Sequence, residues 1–292
     1  MPTPPLSLSR RLARTAAITL ALCLGLAMVG RWTGAVEAFA FYHPRSTQHG
    51  PHPGFEDVTI RTPDGRELHA WFMPARGLDG ASGGKAPAVV HCHGNMGDIS
   101  EHAGTCAYIT RAGVSVLCFD YRGFGRSTPC SYLSREDLVT DTQAAYDYLR
   151  ARPDVDAARI GVMGYSLGGA FAMDLAARHP EIRCVATVGA FSSWTGIASD
   201  FVPVLGGLLI RGGVAADDNA ALLGIRPLLV VHGEKDTIVP RVNGERIVRA
   251  ARAAGVPAEL LSVPKGGHLD IFSKDVKGRI AEFFGKHLGT AR

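Results

Sequence analysis

Ser166 stands in Gly164-Tyr165-Ser166-Leu167-Gly168, directly after an apolar strand pattern and directly before a helical one. A serine in a G-x-S-x-G turn between strand and helix is exposed at the top of a sheet, and the flanking glycines are needed because side chains there would collide. A hydroxyl is a weak nucleophile near neutral pH, so this reading requires a base and a carboxylate to orient it, in the chain order serine, acid, histidine. His268, in VPKGGHLDIF after the last strand pattern, is the candidate base, and Asp236, in PLLVVHGEKDTIVP, is the candidate acid. Glu234 and Asp270 are its rivals, and Asp236 is preferred because the turn after the strand must complete before a carboxylate faces inward. Of the 11 histidines, His91, His93 and His232 follow other strands, and the remainder look like linker or surface residues. The chemistry is acyl transfer: Ser166 attacks a carbonyl, an acyl-enzyme forms, and water releases it, with no metal or organic cofactor required. The backbone N–H of Leu167 is one expected oxyanion donor, and that of Asn95, in the loop VVHCHGNMGD, is the second, with Met96 as the alternative.

Two other patterns carry less. A zinc site at His91, Cys92 and His93 is opposed by strand alternation, which turns Cys92 to the other face, and no further ligand pair is in view. Gly123-Phe124-Gly125 lacks the third glycine of a dinucleotide site and reads as a tight turn that Arg122 and Asp120 tie down. The six cysteines have neither zinc spacing nor the density of a disulfide scaffold. A net charge of +4, from 31 Lys and Arg against 27 Asp and Glu, has no long basic run, so nucleic acid is not an expected partner.

The elements that must position these residues follow from the pattern. DVTIRT and ELHAWFM, joined by Pro63-Asp64-Gly65, read as an antiparallel hairpin. Gly77 to Lys85 is a loop of small residues. Strands are then expected at Ala86–His91, Val114–Phe119, Arg159–Met163, Cys184–Val188, Leu228–Val231 and Ala258–Val263, and helices at Ile99–Ala112, Arg135–Ala151, Leu167–Arg178, Arg241–Ala254 and Ile271–His287. Such alternation predicts an α/β fold with a mostly parallel twisted sheet and helices on both faces, its site at the carboxyl ends of the strands. Ser192 to Gly224 is too long for an ordinary connection and reads as a cap insert. Its apolar stretch supplies Phe201, Leu205 and Leu209 as candidate walls of a substrate pocket.

At the N-terminus, SRRLAR precedes an apolar stretch from Ala16 to Gly30. The nearest small-x-small site, Ala38-Phe39-Ala40, lies far beyond that stretch, which favours an uncleaved membrane anchor over a cleaved signal peptide. At about 15 residues the stretch is shorter than the ~20 of a full span, and Trp32 to Tyr42 is expected to add interfacial aromatic contacts. With the arginines inside, the rest of the chain lies outside the cytoplasm; secretion after cleavage is the alternative. The expected organisation is an N-terminal segment 1–42, a linker 43–54 and a catalytic domain 55–290, so that a chain starting near Phe41 should be soluble and active.

HGN, FDYRGFGRS, GYSLGG, HGEKDTIVP and GGHLD together resemble the α/β-hydrolase superfamily. More narrowly, the chain is similar to its membrane-anchored branch, related to serine aminopeptidase-like and protein-depalmitoylating hydrolases. The resemblance covers about Phe55 to Leu288 and implies Ser166, Asp236 and His268 as triad, and Asn95 and Leu167 as oxyanion donors. It does not choose among ester, thioester and amide; the apolar stretch Phe201 to Ile210, as an acyl pocket, favours an ester or thioester, a small molecule or an acylated one, with amide or peptide hydrolysis as the alternative.

Overall fold

The computed structural model describes residues 7–46, 50, 54–76, 84–203 and 205–289; most of the expected small-residue loop and part of the 43–54 linker lie outside them. An eight-stranded sheet is built from β1 (Glu56–Arg61), β2 (Glu67–Met73), β3 (Ala86–Cys92), β4 (Ser115–Phe119), β5 (Val155–Tyr165), β6 (Val185–Val188), β7 (Leu228–Gly233) and β8 (Ala258–Val263), in the order β1-β2-β4-β3-β5-β6-β7-β8. β1 and β2 form the antiparallel hairpin, β2 runs antiparallel to β4, and every other pairing is parallel. β3, β4, β6 and β7 are buried along their whole length, as strands covered on both faces must be.

Alternate residues of each strand feed two cores. Val90, Phe119 and Val162 pack with α4 (Arg135–Ala151), α5 (Leu167–Arg178) and α9 (Val242–Ala253). Val89, Cys118 and Met163 pack on the other face with α10 (Lys274–Leu288). Cys92 belongs to the first face and Cys118 to the second. At α4, the Ser134 side chain accepts from the amide of Asp137 while Asp137 accepts from that of Ser134, a capping box that fixes the start of the helix.

Two expected helices change. The helix predicted over Ile99–Ala112 is a single turn, α3 (Ile99–His102), followed by 3-10 turns at Ala103–Thr105 and Ala107–Ala112. Gly104 is a poor helix former, and the Thr105 and Thr110 hydroxyls donate back to the carbonyls of His102 and Ala107 at 2.6 and 2.8 Å, which favours tight turns. The last helix starts at Lys274 rather than Ile271, because Ser273 caps it by accepting from Val276.

At the N-terminus, α1 (Leu8–Thr33) is 26 residues long with none buried. The apolar run alone is shorter, but arginine is a good helix former and the helix extends through the arginines on both sides. At 1.5 Å per residue it measures about 39 Å, more than the ~30 Å hydrocarbon thickness of a bilayer. Gly34, at φ 78°, turns the chain into α2 (Ala35–Phe41). α2 was grouped with the N-terminal segment by its sequence, yet Glu37 and the following Tyr42 are buried, and Val36, Ala38 and Phe41 pack against the core. The Ser192–Gly224 insert contains three short helices, α6 (Trp194–Phe201), α7 (Gly206–Leu209) and α8 (Ala216–Ala220).

Candidate active site

Ser166 sits between the end of β5 and the start of α5 with φ 52° and ψ −119°, a strained conformation for a residue with a side chain. The turn is so tight that a Cβ on Gly164 would collide with the backbone of Gly168 and Gly169, and one on Gly168 with the carbonyls of Cys92 and His93. α5 therefore lies directly against β3, and Ser166 stands at the N-terminal, electropositive end of a helix.

The other two residues arrive from neighbouring strand ends. His268 Nε2 is 2.8 Å from Ser166 Oγ, and His268 Nδ1 is 2.7 Å from Asp236 Oδ2. A carboxylate only accepts, so Nδ1 carries the proton, and the Nε2 of the neutral ring faces the serine hydroxyl as a bare acceptor. Asp236 Oδ1 accepts from the amides of Ile238 and Val239 at 2.9 and 2.7 Å. Burial pushes the Asp236 carboxyl upward, but the hydrogen bond and charge of His268, together with these amides, outweigh it and leave the group below the usual carboxylate range. Both rivals are engaged elsewhere: Glu234 accepts from the Ser262 hydroxyl, and Asp270 from the amide of Gly267.

Supporting residues that the sequence did not single out hold this geometry. Tyr165 donates its hydroxyl to the His268 carbonyl at 2.9 Å, and its ring stacks on the imidazole at 5.5 Å. Burial, then the charges of Asp236 and Asp270, push the Tyr165 phenol up to about 12, so it remains a donor. His232 donates from Nε2 to the Val239 carbonyl at 2.9 Å and pins the turn that carries Asp236. In the loop after β3, His93 donates to the carbonyl of Gly94 and His102 to that of Met96, at 2.7 and 2.6 Å. The Asn95 side chain accepts from the amide of His43 at 2.9 Å. His102 and His69, placed by sequence among surface or linker residues, are buried. The G-F-G turn is tied down as expected: Arg122 binds Asp141 through its side chain and its amide, and reaches Asp64 in the hairpin turn and Asp137 on α4.

A cavity of about 760 Å³ opens on Ser166, and Gly94, Asn95, Met96, Leu167 and His268 all border it. Of the expected walls, Phe201 and Leu209 line it. Leu205 is not among its lining residues and stands exposed, at the N-terminal cap of α7 rather than at the end of the helix that reaches the cavity. A wall missed from sequence is α2, which contributes Val36, Ala40 and Phe41. The aromatic residues of that segment suggested an interfacial role, whereas Phe41 packs edge-on against Trp194 at 5.4 Å. Among the described residues, His91, Cys106 and Cys118 have ligand-type atoms within 4.8 Å of one another, a combination hidden in sequence because each comes from a different element.

A serine on a strand-to-helix turn, with acid and histidine following in that order on a mostly parallel sheet, is the arrangement of a serine hydrolase of the α/β-hydrolase fold. The family model described as "Serine aminopeptidase, S33" matches residues 84–211, and that of the prolyl oligopeptidase family matches residues 214–291. The uncharacterized protein YfhR of Salmonella typhi is 34% identical over 259 residues, 84% of each chain. The α/β hydrolase domain-containing protein WAV2 of Arabidopsis thaliana is 28% identical over 236 residues, 74% of this chain and 73% of its own. In fold, the chain resembles an esterase of Pyrococcus furiosus with a TM-score of 0.70 at 21% identity, covering 85% of this chain and 99% of that one. The chain belongs to the α/β-hydrolase family of serine hydrolases.

Proposed function

We propose that the protein hydrolyses carboxylic esters or thioesters with an apolar acyl group, with Ser166 as nucleophile, His268 as general base and Asp236 as the group that orients it. The observation that carries this reading is the apolar cavity opening directly on a serine hydroxyl 2.8 Å from the His268 Nε2. His268 takes the proton as Ser166 Oγ attacks the carbonyl; the backbone amides of Leu167 and Asn95, with Met96 as the alternative donor, receive the oxyanion. His268 then gives its proton to the leaving alcohol or thiol, and the same base activates the water that releases the acid. The strain at Ser166 is consistent with a side chain held at the reaction point, and the pinned turns at Asp236 and Met96 limit reorganisation during the step.

The N-terminal helix supports membrane anchoring, with Arg10, Arg11 and Arg14 in the cytoplasm and the hydrolase outside it. A fluorophosphonate probe should label the protein but not its Ser166→Ala variant. A panel of esters, thioesters and peptides should then show turnover on the first two; selective peptide turnover would displace the proposal, and absence of labelling would reduce the protein to a binding module.

A further inference from the structure

The cavity is built against the end of α1. In the last turn of that helix, the Arg31 guanidinium donates to the carbonyls of Gly207 and Leu208 at 3.2 and 2.6 Å, fastening the helix to α7. The Tyr132 hydroxyl donates to the Thr33 carbonyl at 2.6 Å. Three residues beyond Thr33, Val36 already lines the cavity. Three residues span at most about 11 Å, and the headgroup layer of one leaflet is about 5–8 Å thick. A cavity wall thus starts where an anchored helix would leave the bilayer.

The rim of the cavity is apolar and uncovered. Met96, Phe201, Val202 and Leu269 both line the cavity and stand about half exposed or more. Leu205 and Leu208, next to the carbonyls that hold Arg31, are 57% and 62% exposed. A water-facing protein seldom gathers so many large apolar side chains at one mouth, and this mouth adjoins an apolar helix with no buried residue.

We infer that this rim seats on the lipid leaflet from which α1 emerges, and that acyl chains enter the cavity from the bilayer, with α2 as the wall shared by anchor and pocket. The inference rests on the ester or thioester reading above and on α1 as an anchor. It identifies the substrates as acyl compounds resident in the same membrane rather than dissolved in water.

The test uses the full chain in phosphatidylcholine vesicles. On a Cys23→Ser/Cys130→Ser background, a fluorophore attached to Leu205→Cys should be quenched by lipids carrying a nitroxide near the headgroup. The Leu205→Glu/Leu208→Glu variant, which leaves the cavity lining intact, should hydrolyse a bilayer-resident long-chain ester at least about tenfold more slowly, while a dissolved butyrate ester stays within about twofold. Equal losses on the two esters, absence of quenching, or failure of the full chain to associate with vesicles would overturn the inference. If the wild type hydrolyses no ester, the proposed function fails, and quenching alone still decides whether the rim meets lipid.

Discussion

Replacing Glu37 by Ala removes the partner of a buried guanidinium and tests whether α2 is part of the hydrolase. The Glu37 carboxylate, 2% exposed, accepts from Arg135 Nε at 3.0 Å and from the Tyr42 hydroxyl at 2.6 Å, and also pairs with the Arg135 terminal nitrogen. Removing one member of a buried pair costs about 3–5 kcal/mol, most of it the burden of an uncompensated charge. Arg135 keeps the carbonyls of Gly212 and Gly213, each at 2.7 Å, and lies 4.4 Å over the Trp194 ring, so the lower end applies: about 3 kcal/mol. For a domain of this size that corresponds to a fall in Tm of about 6–12 °C. Urea and thermal unfolding of the full chain in detergent micelles, followed by tryptophan fluorescence, would measure it. The same variant should lose more kcat/KM on long-chain than on acetyl esters, because Val36, Ala40 and Phe41 line the cavity. By the same reasoning, a chain starting at Ala35 should be active, whereas one starting near Phe41 leaves Arg135 without Glu37 and should be unstable. A Glu37→Ala protein within about 0.5 kcal/mol of wild type, the range of ordinary surface substitutions, would refute the reasoning and restore α2 to the anchor.

Asp236→Asn should lower kcat by about 10⁴, the loss known for the equivalent change in a serine protease. Its Oδ1 would stay with the amides of Ile238 and Val239, its NH₂ would face His268 Nδ1, and the ring would be driven to the tautomer with its proton toward Ser166; activity within tenfold of wild type would remove Asp236 from that role. Each added methylene in an ester series should improve kcat/KM by up to ~0.8 kcal/mol until the cavity fills, and Leu209→Asp should depress long chains selectively. Equal losses at every length would make Leu209 a packing residue. Stability should fall as pH drops below ~6.5, where histidines in the unfolded chain take up protons. Burial, then the neighbouring His102, lowers His91 to about 3, and burial is also the first cause of the low positions of His93, His102 and His232, so these rings take up protons less readily in the folded protein than in the unfolded chain. His91 alone should cost ~1.4 kcal/mol per pH unit between ~6.5 and ~3; a flat unfolding free energy from pH 7 to 5 would contradict these assignments.

The parallel sheet and the three central residues were legible because their signals are local. Short apolar runs ending in a turn marked by glycine flag the strand ends before Ser166 and Asp236, and the mixed run AELLSV before PKGG flags the one before His268; each of the three residues lies within five residues of its strand end. Glu234 and Asp236 could be ranked because a turn has a fixed length. What remained hidden depends on contacts between distant segments. Tyr165 is simply the variable position of the pentapeptide until its ring meets His268, and His102 looks like a surface residue of a helix until the helix breaks and turns it toward Met96. Glu37 within an apolar N-terminal stretch gave no hint of Arg135, 98 residues away. Leu205 and Leu209 are alike in residue type and surrounding sequence, and only their positions at the two ends of one short helix separate an exposed side chain from a cavity wall.

The separation of Ser166 from its histidine also governs when the protein becomes chemically active. The two are 102 residues apart, and His268 follows β8, the strand at the far edge of the sheet. A chain emerging from the ribosome N-terminus first completes the turn bearing Ser166 long before the segment that supplies the base exists, and β8 has no place to dock until β7 is seated. Throughout synthesis the nascent polypeptide therefore carries an ordinary, unactivated hydroxyl, even while its leading helix can already be in a membrane. Reactivity is acquired only when β8 and the loop after it are in place, so an incompletely made chain remains inert.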